Sequence, residues 1–262
     1  MEFHELAVPG FVFLIGLLVG SFLNVCIYRL PRNESLVWPR SHCPKCKQPV
    51  EVLDNIPLLS FVLLRGRCRH CRGRISSRYP LVELLNALGY LLIFEMFGVG
   101  LSSAIDALFF SALLVVTFID FEHQIIPDVI TLPGMLAGLI ASSTILPPGF
   151  LNSAIGLLGG GGLFYVVAAL GHLILRRDAM GGGDIKLIAM IGAFLGWRAM
   201  LLTILLGSLA GTCFGVFLIL FRGAKRETLL LPFGSFLALG AVVSLLYGSD
   251  ILIWYMRLGR IR

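Results

Sequence analysis

The stretch "VTFIDFEHQIIPDVITLP", residues 116–133, sets Asp120, Glu122, His123 and Asp128 between two long apolar runs. The whole chain around it is apolar. Of 262 residues, 57% are hydrophobic and 14% charged, and the mean hydropathy is +0.91. A soluble domain carries about 25% charged residues, whereas several runs here approach the ~20 residues needed to cross a hydrocarbon core as a helix. A transmembrane β-barrel would show alternation instead of near-continuous apolar runs. The expected fold is an all-α polytopic membrane protein with about eight transmembrane helices. The candidate spans are 10–27, 80–97, 104–119, 129–146, 151–175, 185–197, 199–221 and 229–247. The span 185–197 is too short to cross unaided, which would leave Asp184 inside the membrane boundary.

Charge sets an expected orientation. Glu2, His4 and Glu5 precede the first apolar run, with no Lys or Arg, so it lacks the basic start of a secretory signal. Of the 21 Lys and Arg residues, eleven lie between Arg29 and Arg78. Arg176, Arg177, Arg222, Lys225 and Arg226 fall in later turns on the same side. The positive-inside rule then places the N-terminus outside and the 29–78 loop in the cytoplasm. Arg257, Arg260 and Arg262 break the pattern, unless the tail lies along an interface. The net charge of +6 reads as a topology signal, and no aromatic-and-basic stripe suggests nucleic acid.

That loop contains "HCPKCKQPVEVLDNIPLLSFVLLRGRCRHC", residues 42–71, with Cys43, Cys46, Cys68 and Cys71 as two C-x2-C pairs. Four thiolates satisfy tetrahedral zinc, and a C-x2-C turn lets two of them reach one ion. Disulfides are disfavoured in a reducing compartment. A cytoplasmic zinc-binding cysteine hairpin between the first two helices is the expectation. Lys45, Lys47, Arg69 and Arg72 offset the thiolate charge, and His42 and His70 are possible substitutes. Cys26 and Cys213 lie within apolar runs and read as packing residues.

A second acid, Asp184, stands in "AMGGGDIKLIAMIGAF", residues 179–194. Two expected spans separate it from Asp120, so both acids return to one side at comparable depth. Either alone is as well explained as a helix cap or as the first wet residue of a span. As a pair they suggest chemistry. Gly181, Gly182 and Gly183 allow an extended substrate strand to approach beside the acid. Two carboxylates about 3 Å apart in a poorly solvated site share one proton. The ionised member draws a proton from water, which attacks a peptide carbonyl; the protonated member polarises that carbonyl and helps the amine depart. No G-x-S-x-G elbow, H-E-x-x-H helix or P-loop ending offers another scheme, and the glycines 159–162 read as helix packing.

With "FIDFEHQIIPD" and "MGGGDIK" in place, the chain resembles the type IV prepilin peptidases, the bacterial branch of the GxGD membrane aspartic proteases. "GSFLNVCIYRLP" (20–31), "SRYPLVELLNALGY" (77–90), "PFGSFLALG" (232–240) and the cysteine hairpin extend the resemblance over essentially the whole chain. It implies that Asp120 and Asp184 are catalytic. It leaves Asp128 to cap the fourth span and His123 without a role. Ala179 stands where relatives often carry glycine. It further implies cleavage of the basic leader of type IV prepilins or type II secretion pseudopilins after a glycine. S-adenosylmethionine-dependent methylation of the new N-terminal residue follows. Residues 1–100 would form the methyltransferase-type region and 101–262 the peptidase domain. For methyl transfer the candidates are Asn24, Glu83 and Asn86. Glu83 and Asn86 share a helix face, and all three also suit interhelical hydrogen bonding.

Three rivals remain open at this stage. A proton- or cation-coupled transporter would use the same two aspartates, placed nearer mid-span. A non-catalytic assembly subunit would use the cysteine module for docking. A peptidase without methyltransferase activity would have little use for that module.

Overall fold

The computed structural model describes residues 2–176, 180–222 and 231–258. Arg177, Ala179, Lys225, Arg226, Arg260 and Arg262, invoked above, lie outside the described residues. Among those residues the chain is helical and has no strands: α1 (Glu2–Arg29), α2 (Leu59–Leu63), α3 (Arg78–Phe97), α4 (Leu101–His123), α5 (Asp128–Thr144), α6 (Gly149–Leu175), α7 (Gly182–Arg222) and α8 (Phe233–Leu258). All but α2 and α5 are long and apolar enough to cross a membrane.

The expected spans 185–197 and 199–221 both fall inside α7. A straight helix of 41 residues would measure about 60 Å, twice the ~30 Å of a hydrocarbon core. It is not straight. Gly196 has φ 74° and ψ 172°, a conformation open to glycine, and breaks the helix there. With α7 in two pieces and the 17-residue α5, the described residues contain eight apolar helical segments, the number expected. Span 229–247 begins outside the described residues, and α8 runs on to Leu258.

The chain forms two compact units, Met1–Val115 and Val116–Arg262, and the division falls inside α4. In the first, α1 lies directly on α3. A Cβ at Gly16 would stand 2.6 Å from Ala87 Cα, and one at Gly20 would stand 2.7 Å from Glu83 Cα. The G-x-x-x-G step thus brings two backbones together, as small residues do in membranes, where packing replaces the hydrophobic driving force. Asn86, fully buried, donates from Nδ2 to the Gly16 carbonyl (2.8 Å) and accepts at Oδ1 from Ser111 Oγ (2.8 Å). Outward, Phe11, Leu14, Leu18 and Phe22 of α1 are exposed and form a face suited to lipid.

In the second unit α7 is the core. Leu187, Ile188 and Ile191 have no exposed surface. The Gly192 carbonyl oxygen lies 2.5 Å from where a Gly156 Cβ would be, so α6 crosses α7 at backbone contact. On α5, Ser142 Oγ donates to the Ala193 carbonyl at 3.0 Å. On α8, a Cβ at Gly240 would meet the Thr203 carbonyl oxygen at 2.7 Å. Three helices are therefore held tightly against α7, α5 and α6 before the Gly196 break and α8 after it.

Candidate active site and cysteine centre

Asp120 lies in the last turn of α4 and is buried at 5% exposure. Asp184 lies in the first turn of α7, inside the helix and not before it. The N-terminus of a helix favours negative charge. The two carboxyl groups are near enough to interact electrostatically. The site also takes a residue from α8 that sequence reasoning missed. Ser235 N–H donates to Asp120 Oδ2 at 2.7 Å, and its hydroxyl lies 3.0 Å from both that oxygen and the Thr117 carbonyl. Ser235 sits within "PFGSFLALG", but nothing in that motif indicates which helix end it meets.

Glycine makes the convergence possible. A Cβ at Gly234 would stand 3.1 Å from Asp120 Oδ2 and 2.6 Å from Ile126 Cδ1; one at Gly183 would stand 2.9 Å from Ile126 Cβ. Ile126, in the α4–α5 connection, therefore fits against both glycines and spaces the starts of α7 and α8. Gly182 has nothing within 4 Å of its absent side chain, and a Cβ at Gly181 would lie 3.5 Å from Asp184 Oδ2. That leaves open space beside the acid at one glycine, while Gly183 serves packing. Asp128 is a correction to the capping expectation. Pro127 occupies the N-cap and Asp128 is the first helical residue. Both of its oxygens accept from Lys186 Nζ at 2.7 Å, an exposed pair two residues from Asp184. Glu122 and His123 are exposed at the end of α4.

Replacing Ser235 by Ala keeps the N–H donor and removes the hydroxyl that touches Asp120. Turnover is expected to fall about fivefold with the thermal midpoint little changed, since one hydrogen bond is worth roughly 1 kcal/mol. A steady-state kcat measurement on the purified variant checks it.

In the first unit the four thiols form one cluster. The sulfurs of Cys43, Cys46, Cys68 and Cys71 lie within 4.8 Å of one another, and Cys43 Sγ to Cys71 Sγ is 3.8 Å. Tetrahedral zinc with bonds of about 2.3 Å sets sulfur–sulfur separations of about 3.8 Å. The cluster therefore fits a zinc ion. The two turns are built alike. Lys47 N donates to Cys43 O and Arg72 N to Cys68 O, at 2.8 and 3.0 Å, with Lys47 at φ 60° and Arg72 at φ 55°. Burial alone would raise the Cys43 thiol, but the N–H groups of Cys46 and Lys45 outweigh it and bring it down to about 7. Arg69 pairs with Asp54 through two hydrogen bonds of 2.8 and 2.5 Å. Those bonds hold the Asp54 carboxyl below its ordinary range, and they tie the second turn to the segment between the pairs. Cys26 is buried and Cys213 exposed, both unpaired as thiols. His42 and His70 are not part of the cluster.

The same unit contains a cavity of about 470 Å³ whose walls include Asn24, Tyr28, Cys43, Leu58, Arg78 and Glu83. Glu83, 7% exposed, accepts from Leu58 N–H at 2.8 Å through Oε2 and from the Ser21 hydroxyl. Leu58 has φ 59° and ψ −49°, with Leu59 N donating to Pro57 O at 2.6 Å. This is a γ-turn with positive φ, a strained arrangement for leucine. Glu83 thus anchors a strained turn of the cysteine loop to α3. Asn24, 2% exposed, donates from Nδ2 to the carbonyls of Tyr79 (3.0 Å) and Gly20 (3.4 Å), while its Oδ1 accepts no hydrogen bond. Asn86 is not in the cavity wall, and its contacts are the interhelical bonds described above.

A polytopic membrane protein, helical throughout its described residues, with two acids in electrostatic range at helix ends and a four-cysteine loop module is the class that these features define. The chain belongs to the type IV leader peptidase family: residues 107–216 match that family's model, and residues 14–97 match the bacterial peptidase A24 N-terminal domain. It is 38% identical to the prepilin leader peptidase/N-methyltransferase of Aeromonas salmonicida (strain A449), covering 94% of this chain and 92% of that one. The Pseudomonas aeruginosa protein of the same name is 37% identical, over 97% and 95%. The type 4 prepilin-like proteins leader peptide-processing enzyme of Escherichia coli O78:H11 is 38% identical, over 92% and 95%. No solved structure matches the chain.

Proposed function

We propose that the chain is a bifunctional membrane enzyme that cleaves the basic leader of type IV prepilins or type II secretion pseudopilins after a glycine, and then N-methylates the exposed residue. The observation that carries the reading is that Asp120 and Asp184, at the ends of α4 and α7, lie within electrostatic range of one another, with Ser235 hydrogen-bonded to Asp120. Two acids so placed share a proton. One takes a proton from water as it attacks the scissile carbonyl, while the other polarises the carbonyl oxygen and then protonates the leaving amine. The open space at Gly182 receives the substrate backbone. Ser235 keeps Asp120 in a fixed rotamer throughout.

The methylating half lies in residues 1–100 and the peptidase in 101–262. S-adenosylmethionine, when bound, supplies a methyl group on a positively charged sulfur. Methylation requires a neutral amine, and Glu83 is the group that holds the substrate amine and takes its proton. Asn24 lines the same cavity, and Asn86 keeps α1, α3 and α4 in register. Zinc in the Cys43–Cys46–Cys68–Cys71 cluster fixes the loop that walls the cavity. The N-terminus lies outside, with the cysteine module and the acids toward the cytoplasm of the inner membrane. A transporter would place its acids nearer mid-span, and the relatives do not favour one.

The test uses purified protein in detergent, a prepilin-like peptide and S-adenosylmethionine, followed by mass spectrometry. Loss of the leader together with gain of one methyl group on the product supports both activities. A peptide left intact by folded enzyme defeats the reading.

A further inference from the structure

We propose that the cysteine loop docks on the membrane that the helices cross, laying an apolar face of α2 on a leaflet of anionic phospholipid. The loop runs between two membrane-crossing segments, Ala7–Arg32 and Arg78–Phe97, so both of its ends lie at one membrane face. The apolar face is built locally. Leu59, Val62 and Leu63 are spaced i, i+3, i+4 and share one side of α2. Phe61 turns the other way: its ring lies 3.1 Å from where a Gly66 Cβ would stand, and it lines the cavity. Ser60 Oγ donates to the Ile56 carbonyl at 2.5 Å and lies 3.2 Å from that of Leu53, which sets the turn Val52–Asn55 beside α2. Leu53, Val62 and Leu63 are 71%, 68% and 71% exposed, and Leu59 is 49% exposed. Large apolar side chains gathered and left uncovered in this way mark an interaction surface.

The α1 end of the loop presents a second apolar contact. Buried Arg29 donates from Nη1 to the Ser35 carbonyl (2.7 Å) and from Nη2 to that of Pro39 (2.6 Å). Those bonds pin residues 35–39 to the end of a membrane span and leave Val37 and Trp38 exposed. A tryptophan at that level suits the headgroup belt, where its ring meets the acyl chains and its N–H meets water.

Charge selects the occupant. Residues 30–77 hold nine Lys and Arg against three acids. Arg69 engages two of those acids, Glu51 and Asp54. Arg65 and Arg67 follow α2 closely, and a backbone bridge sets Arg67 opposite Arg74. All three arginines are exposed and have no acidic partner among the described residues. Apolar side chains beside unpaired arginines are the pattern of a segment that lies in the interface of an anionic bilayer. Each such cation strengthens contact with an anionic leaflet about fivefold. A substrate with a basic leader would be repelled there.

The test places the full-length protein in lipid nanodiscs containing phospholipid with a diazirine near the top of its acyl chain. After photolysis, labelled peptides are read by mass spectrometry. Discs of phosphatidylcholine alone are compared with discs that include phosphatidylglycerol. Label is expected on residues 53–63 and 37–38, at least about fivefold heavier with phosphatidylglycerol, and high salt is expected to shrink that excess. The double variant Arg65→Gln, Arg67→Gln is expected to lose the excess with an unchanged thermal midpoint. Label on the exposed face of α1, at Leu14 and Leu18, with none on 53–63 overturns the docking. Equal label in the two discs overturns the assignment to anionic lipid, and this arm needs no variant to fold. Residues 53–63 unlabelled by lipid but protected by an added prepilin-like peptide would assign the face to substrate, which also overturns it. None of these readouts depends on catalysis.

Discussion

Asp184→Asn and Asp120→Asn are each expected to lower prepilin cleavage by at least about 10³-fold, at the upper range of what a positioned acid or base contributes. The substitution is chosen to spare the fold. Asn occupies the same volume and can turn its carbonyl oxygen toward Ser235, so the N–H donor 2.7 Å from Asp120 Oδ2 keeps an acceptor. What is lost is the capacity to exchange a proton. An amide cannot draw one from water, and it cannot deliver one to a departing amine. Because the two acids act as a unit, the double variant is expected to be no slower than either single one. Single-turnover cleavage measured beside a thermal midpoint checks this. Substantial cleavage by a folded single variant would sink the dyad and return attention to a transport role for these acids.

The cysteine centre carries the second large effect. Freshly purified, reduced protein is expected to contain one zinc per chain, and Cys68→Ser is expected to bind it at least about 100-fold more weakly. Structural zinc sites reach apparent binding energies of about 10–16 kcal/mol, and that energy is folding energy for the segment they close. Here the segment is held otherwise by two small turns, the Arg69–Asp54 pair and the Glu83–Leu58 bond. Removal of zinc should therefore open residues 40–75 to proteolysis and depress methyl transfer. Thiolates bind the metal and protons compete for them, so retention should weaken as the pH is lowered. Metal analysis of the wild type and limited proteolysis with and without a chelator read both points. A stoichiometry near zero in reduced protein would refute the assignment.

Much of this was legible along the chain because membranes impose long apolar runs and thiol ligands come in tight local pairs. The eight apolar segments and the C-x2-C pairs are of this kind. What was not legible depends on contacts between distant residues. Asp128 looked like a cap because it follows proline before a helix; its partner is Lys186, 58 positions on. Asn86 and Glu83 share a face of α3, and both were candidates for methyl transfer. Asn86 is spent on Gly16 and Ser111, while Glu83 faces the cavity and holds Leu58. Ser235 and Ile126 lie within quoted motifs, but nothing local named their partners.

The amino-acid sequence by itself determined a polytopic helical membrane protein, its four-thiol cluster and its two candidate acids, since each depends on composition or spacing over a few residues. Only the tertiary structure decided that α7 breaks at Gly196 and that Asp120 meets Ser235. It alone left the Oδ1 of buried Asn24 without a hydrogen-bond donor. The reason is physical. A hydrogen bond or a backbone contact forms between whichever atoms packing brings within about 3 Å, and separation along the chain does not record that distance.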